Sequence, residues 1–343
     1  MSPANQKAGG KAKAGAKAKA KATGDTGEGG DPGQPPLGPV LYVGDCEVRV
    51  GTCSWADKTL TQDADWYPRR TMSAADRLRF YASRFPVVEA DSTYYRAPSE
   101  QLTQGWADRS PEGFVMDVKA YSLMTGHPTK PETLWPDIRD ELDPEARDKK
   151  NVYAHHLPDD AVDEVWRRFV EALAPLGEVG KLGSVLLQYP TWFTPKKDNR
   201  EELARARERL GDVPASVEFR SDRWFRPDDV ERTVAFAADH DLALVAVDAP
   251  KVAKLPRDLH RTADHVVVRL HGRADDTWSG RATTAAERFR YHYDKRELRP
   301  WAKKVVEVAR EADSVHVLMN NCYQDFGVDN AADMVDILDD LTS

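Results

Sequence analysis

The sequence predicts an α/β protein, a (β/α)8 TIM barrel preceded by a disordered N-terminal tail. Three observations carry that prediction. Eight short apolar segments rich in strand-forming residues recur along the chain. Helix-like stretches lie between most of them, and nearly every segment ends in charged, amide or aromatic residues. Strands alternating with helices imply parallel strands joined by crossovers, and eight such units close into a barrel of roughly 250 residues. The 343-residue chain supplies that length over residues 47–341, with a tail in front and room for loop insertions.

Residues 1–40 read as the tail. KAGGKAKAGAKAKAKATG is low-complexity Lys/Ala/Gly with almost nothing to bury, so disorder is expected. The tail holds six lysines and three acids, a net charge of +3. The chain's total is −8, which leaves −11 on the remainder. A basic tail on an acidic body can touch nucleic acid or serve as a solubilising extension. It lacks the apolar core of a secretory signal. No apolar run in the chain approaches the roughly 20 residues that span a bilayer, so no membrane partner is expected. Three cysteines, Cys46, Cys53 and Cys322, suit a reducing, cytoplasmic setting.

The elements follow in order. VRVGTCSW at 48–55 is the first strand segment. Ser73 and Asp76 resemble a capping box opening an amphipathic stretch that ends near Phe85. VVEADSTYY at 87–95 and FVMDVKAY at 114–121 are the next two strands. A long connection at 122–160 follows, then Val162, Val165, Trp166, Phe169, Val170 and Leu173 at helical spacing. SVLLQYP at 184–190 and ASVEFR at 215–220 precede helical stretches at 201–210 and 229–240. ALVAVDAP at 243–250 leads into 250–264, where Pro256 abbreviates any helix. HVVVRLHG at 265–272 is followed by a second long connection, 273–297. Leu298, Trp301, Ala302, Val305 and Ala309 form the stripe before SVHVLMNN at 314–321. Asn330 is expected to open the last helix toward Leu341, with Asp329 as an alternative cap. Loops beyond about 12–15 residues are usually functional or disordered, so either long connection can act as a lid.

A barrel's chemistry sits at the C-terminal ends of its strands. Period two places Glu89 with Asp91, Asp117 with Lys119, Glu218 with Arg220, and Arg269 with His271 on one strand face each. Charges inside apolar strands are costly unless paired. The set reads either as a site for acid–base chemistry and anion binding or as an ion-pair plug in the filled barrel interior. Glu89, Lys119, Glu218 and His271 are the candidate catalytic residues. Arg220, Arg269, Asp248, Gln188, Asn320, Asn321, Tyr94 and Trp224 are the candidate substrate-binding residues. Glu218 or Glu89 would be the base and His271 the acid. Glu89, Glu218, Asp248 and His271 are also candidate ligands for a divalent metal such as Zn, Mn or Mg. Trp55, Tyr95, Tyr121, Trp192, Phe193 and Trp278 stand near strand ends as well, where aromatic faces suit sugars or bases or simply pack. The connection after 272 interleaves Arg273, Arg281, Arg288 and Arg290 with Phe289, Tyr291 and Tyr293, a mix that suits phosphate-bearing ligands.

GTCSW at 51–55, VVEADSTYYR ending at Arg96, FVMDVKAY, LGSVLLQYP, SVEFRSDRW, VVVRLHGR and the pattern of Asn320, Asn321, Asn330 and Ala331 together resemble the YecE-like family, a domain of unknown function (family seventy-two). The resemblance spans residues 47–341 and implies a TIM barrel without an assigned reaction. Cys322 and Tyr323 stand where a smaller or acidic residue is expected after the paired Asn, and the 122–160 connection looks like an insertion. The expected function is a hydrolase acting on a phosphate-bearing or nucleic-acid substrate. The alternatives are a non-catalytic nucleic-acid-binding protein or a sugar isomerase- or lyase-like enzyme.

Overall fold

The computed structural model describes residues 35–275 and 285–343. Most of the expected tail, together with Trp278 and Arg281, lies outside them. The chain makes barrel contacts already before residue 40. Leu37 packs on the core, and Gly38 donates its N–H to the Ala82 carbonyl at 2.7 Å.

Ten strands form one sheet. They are β1 (Leu41–Val43), β2 (Cys46–Thr52), β3 (Val87–Ala90), β4 (Val115–Lys119), β5 (Leu182–Tyr189), β6 (Ala215–Phe219), β7 (Leu242–Leu244), β8 (Ala246–Asp248), β9 (His265–Leu270) and β10 (Ser314–Met319). All neighbours from β2 onward pair in parallel. β7 pairs with β6 and β8 with β9, and Val245 between them donates to the Val217 carbonyl. β7 and β8 are thus successive halves of one barrel strand, and the ring is the expected (β/α)8 architecture. β1 is an addition. It returns antiparallel on β2 through a Gly44–Asp45 turn, where Gly44 takes φ +62°, the left-handed conformation a two-residue hairpin demands.

Helices follow the strands. Ser73 caps Ala74–Ala82 by accepting from the Asp76 N–H at 3.1 Å. Helices Glu100–Arg109, Asp159–Glu171, Lys197–Leu210, Val230–Asp239, Lys295–Val308 and Phe326–Thr342 clothe the wall. The Asp159–Glu171 helix turns Ala161, Val165, Trp166 and Phe169 inward, which is the predicted stripe. After β8 only a short 3-10 turn, Lys251–Ala253, forms. The last helix starts four residues before the expected Asn330, with Asp325 at its N-cap. Asn330 is buried within that helix. Its amide holds the Tyr293 N–H and carbonyl, both at 2.9 Å, so its polar groups serve another element rather than its own helix end. The 122–160 connection is packed rather than open. Leu134, Ile138, Leu142, Ala146 and Val152 are buried, and Thr129 bridges Val152. Among the described residues no helix is long and apolar enough to cross a membrane.

Alternation divides the apolar residues into two cores. Val87, Leu186, Val245, Val247, Val267 and Leu318 fill the barrel interior, while a larger layer lies between wall and helices. Toward the N-terminal strand ends the interior is polar. Asp117 accepts from the Ser184 N–H at 2.8 Å, and its carboxylate meets His316 Nδ1 at 2.9 Å. Gly183 permits this, since a Cβ there would lie 2.3 Å from Asp117 Oδ1. Asp117 is therefore anchored away from Lys119, its partner on the strand face.

Candidate functional site

The interior-facing charges late in β3, β6 and β9 meet in a buried lattice. Arg269 donates through Nε to Glu89 Oε2 at 2.8 Å and through Nη2 to Glu89 Oε1 at 2.7 Å. Its Nη1 donates to Glu218 Oε2. Glu218 Oε1 in turn accepts from Gln188 Nε2 at 2.8 Å and pairs with Arg220 Nε at 2.8 Å. Burial alone would raise the Glu218 carboxyl. Arg269, Arg220 and His271 outweigh it and hold that carboxyl well below the usual carboxylate range. Charges alternate along Glu89, Arg269, Glu218 and Arg220, and Glu218 is held as an anion. His271 Nε2 lies 3.3 Å from Glu218 Oε1, and the Asn320 amide donates to His271 Nδ1. That places the ring's proton on Nε2, facing the carboxylate. Burial and nearby Arg220 push the His271 pKa down to about 3, so the ring is neutral.

Above this lattice opens a cavity of about 710 Å³. Asp91, Lys119, Gln188, Arg220, Arg269 and Asn320 form its inner surface, and Arg288 and Lys254 stand nearer its rim. Lys119 Nζ rests over the Tyr94 ring, 4.7 Å from the centroid. Burial, reinforced by Arg269, lowers the Lys119 pKa. Burial pushes the Asp91 carboxyl up to about 7, with Glu89 and Asp57 adding to the shift and Lys119 opposing it. His127, brought in by the 122–160 connection, is pushed down to about 4 by burial and by Lys119 and Arg220. A row of rings borders the opening. Tyr95 packs on Tyr94 at 5.1 Å, Tyr94 on His127 at 5.3 Å, and His127 on Trp192 at 6.2 Å. Tyr95 and Trp192 are 64% and 61% exposed.

The structure thus gathers Glu89, Lys119, Gln188, Glu218, Arg220, Arg269, His271, Asn320 and Tyr94 at one end of the barrel, and it places three expected residues elsewhere. Asp248 points out of the barrel, because Val247 and Ala249 occupy the inward positions around it. It accepts from Trp301 Nε1 at 2.8 Å and pairs with Arg257 and Arg273. Trp224 is buried in the outer layer, stacked on Phe219 at 4.0 Å, with its Nε1 donating to the Phe193 carbonyl at 2.7 Å. Asn321 donates to the Tyr291 carbonyl at 2.8 Å and to Asn330 Oδ1 at 2.9 Å. The proposed metal ligands do not converge either. Asp248 is outside, and the carboxylates of Glu89 and Glu218 are engaged by guanidinium groups. Among the described residues no group of three or more His, Cys, Asp or Glu side chains is placed to hold a metal ion. Asp91, His127, Trp192 and Arg288 line the cavity as well, beyond the catalytic and substrate-binding residues expected from the sequence. Asp91 was legible as the inward partner of Glu89, two residues on, whereas His127 comes from a loop whose path no periodicity reveals.

The sequence signature described as "Protein of unknown function DUF72" matches residues 49–342. The chain belongs to the DUF72 family. The UPF0759 protein YunF of Bacillus subtilis (strain 168) is 30% identical over 298 residues, 85% of this chain and 95% of that one. A DUF72 protein of Thermotoga maritima MSB8 superposes with a TM-score of 0.66 at 25% identity, covering 85% of this chain and 99% of its own. A DUF72 protein of Enterococcus faecalis V583 gives 0.67 at 27% identity, over 85% and 95%. These agree with the YecE-like motifs and with the barrel. The DUF72 description assigns no reaction.

Proposed function

We propose that the cavity is an active site for a phosphate-bearing substrate, which it hydrolyses under acid–base control. The observation that carries this reading is the charge of the lining. Lys119, Arg220, Lys254 and Arg288 face a space of about 710 Å³ against Asp91 and Asp222, and Asp222 already pairs with Arg226. That volume suits a small-molecule ligand. Arg220, paired at Nε with Glu218, brings to the cavity a planar guanidinium, the group whose geometry matches phosphate oxygens. Asp91, with its pKa about 7, is the group suited to take a proton from an attacking water and return it to the leaving oxygen. Glu89 and Glu218 serve instead as the fixed negative floor that orients Arg269 and Arg220.

Titration of inorganic phosphate and nucleoside monophosphates into the protein tests the binding half, and a panel of phosphomonoesters and phosphodiesters tests turnover. Arg220→Ala weakens phosphate binding about tenfold or more, roughly 1.4 kcal/mol. Asp91→Asn retains binding and loses hydrolysis. Absence of both phosphate affinity and hydrolysis in the wild type overturns the reading. The exposed Tyr95 and Trp192 beside a basic opening favour a second reading, nucleic-acid binding without turnover. Its mark is salt-steep affinity for single strands that weakens on removing residues 1–30. An enzyme acting at the barrel mouth keeps its activity without them.

A further inference from the structure

We infer that Lys119 is an amine nucleophile that forms an imine with an anionic aldehyde or ketone held in the cavity. This goes beyond hydrolysis and does not rest on it. Three cations, Arg269, Arg220 and Lys119, cluster around Glu89 and Glu218, with Asp91 lining the same cavity. The arginines take both carboxylates, Arg269 bridging the two and Arg220 pairing with Glu218. Among the described residues no carboxylate oxygen lies within 4.0 Å of Lys119 Nζ, which rests instead over the Tyr94 ring. Guanidinium keeps its proton under all ordinary conditions and an ammonium does not, so of the three cations Lys119 is the one able to give up its proton. Burial and the neighbouring guanidinium groups lower its pKa, which raises the share of free amine at the base of the open cavity.

The surrounding groups complete the chemistry. Arg220, with Lys254 and Arg288 nearer the rim, attracts a carboxylate or phosphate on the ligand and sets its carbonyl near the amine. The Nζ lone pair adds to the carbonyl carbon, the C=O π pair moves to oxygen, and the proton shed by the nitrogen passes to that oxygen to give a carbinolamine. Asp91, lining the same cavity, donates the proton with which that hydroxyl leaves as water. The nitrogen lone pair closes the C=N bond, and the product is a protonated imine. A desolvated lysine beside other cations is a recognised way to activate an amine for this step.

Incubating the full chain with glyoxylate and sodium cyanoborohydride at neutral pH reads the reaction. Hydride from the cyanoborohydride adds to the iminium carbon and leaves a carboxymethyl group on the amine, located by peptide mass spectrometry. The expected result is modification of Lys119 about tenfold or more faster than of the exposed Lys58 and Lys130, since every tenfold rise in free amine raises the rate in proportion. Modification of Lys119 no faster than those two overturns the inference, and this comparison within the wild type holds whether or not a Lys119→Met variant folds. In that variant the label found at position 119 disappears while labelling of Lys58 and Lys130 continues. Saturating inorganic phosphate slows labelling where the anion shares the cavity. Unslowed labelling counts against the phosphate reading and leaves the amine chemistry standing.

Discussion

Arg269 is the residue on which the interior depends. Replacing it with Leu leaves Glu89 and Glu218 buried without their shared cation, so urea denaturation is expected to show a loss of about 3–5 kcal/mol. Glu218→Gln keeps an acceptor for Gln188 and Arg220 and costs less. Asp91 acts in the opposite sense. Its folded pKa of about 7 exceeds the ordinary value of 3.8, so from pH 4 to 7 the folded chain holds a proton that the unfolded chain has released. Stability therefore falls across that window, by on the order of 1.4 kcal/mol per pH unit. His271 and His127 have depressed pKa values. Their contribution is full above about pH 6.5 and is lost as pH falls through 4 and 3. The difference in stability between Asp91→Asn and wild type isolates the carboxyl. It should grow in favour of the variant from pH 4 to 7 and level off above. Strand parity made most of this legible in the sequence: Glu89, Asp91, Glu218, Arg269 and His271 all face inward as period two requires. Parity also turns Asp248 out of the barrel despite its nearness to a strand end, since its neighbours Val247 and Ala249 hold the inward positions.

Elements are legible in the chain where their own side chains decide them and hidden where other elements do. The eight barrel segments and the Asp159–Glu171 stripe show in the chain because burial imposes a period. β1 does not, because three residues are too few to show a period and its place comes from a Gly44 turn. The last helix starts at Phe326 and not at Asn330, because Asn, a favoured cap, here spends its amide on Tyr293 and Asn321. Cutting those three bonds with Asn330→Ala strands buried polar groups and is expected to cost about 2–3 kcal/mol. The segment around Tyr293 should become the first site of limited proteolysis in the described barrel. An Asn330→Ala chain with wild-type stability and protease resistance would show that this link is idle.

The whole molecule owes its closure to one strand made in two parts. β7 turns to β6 and β8 to β9, so neither half pairs on both sides over its full length. Among the described residues, every other strand of the ring is followed by a helix of eight or more residues, while β8 leads only into a 3-10 turn. The outer face there is covered by charge. Asp248 is clamped by Arg257, 37% exposed, and Arg273, 22% exposed, with Trp301 behind. An apolar helix is indifferent to dissolved ions, but partly exposed ion pairs are screened by them. Amide exchange at Ala246–Asp248 is accordingly expected to quicken as salt is raised, while β4 to β6 stay protected. The barrel wall thus has a fault line whose strength depends on ionic strength, and any breathing of the mouth begins along it.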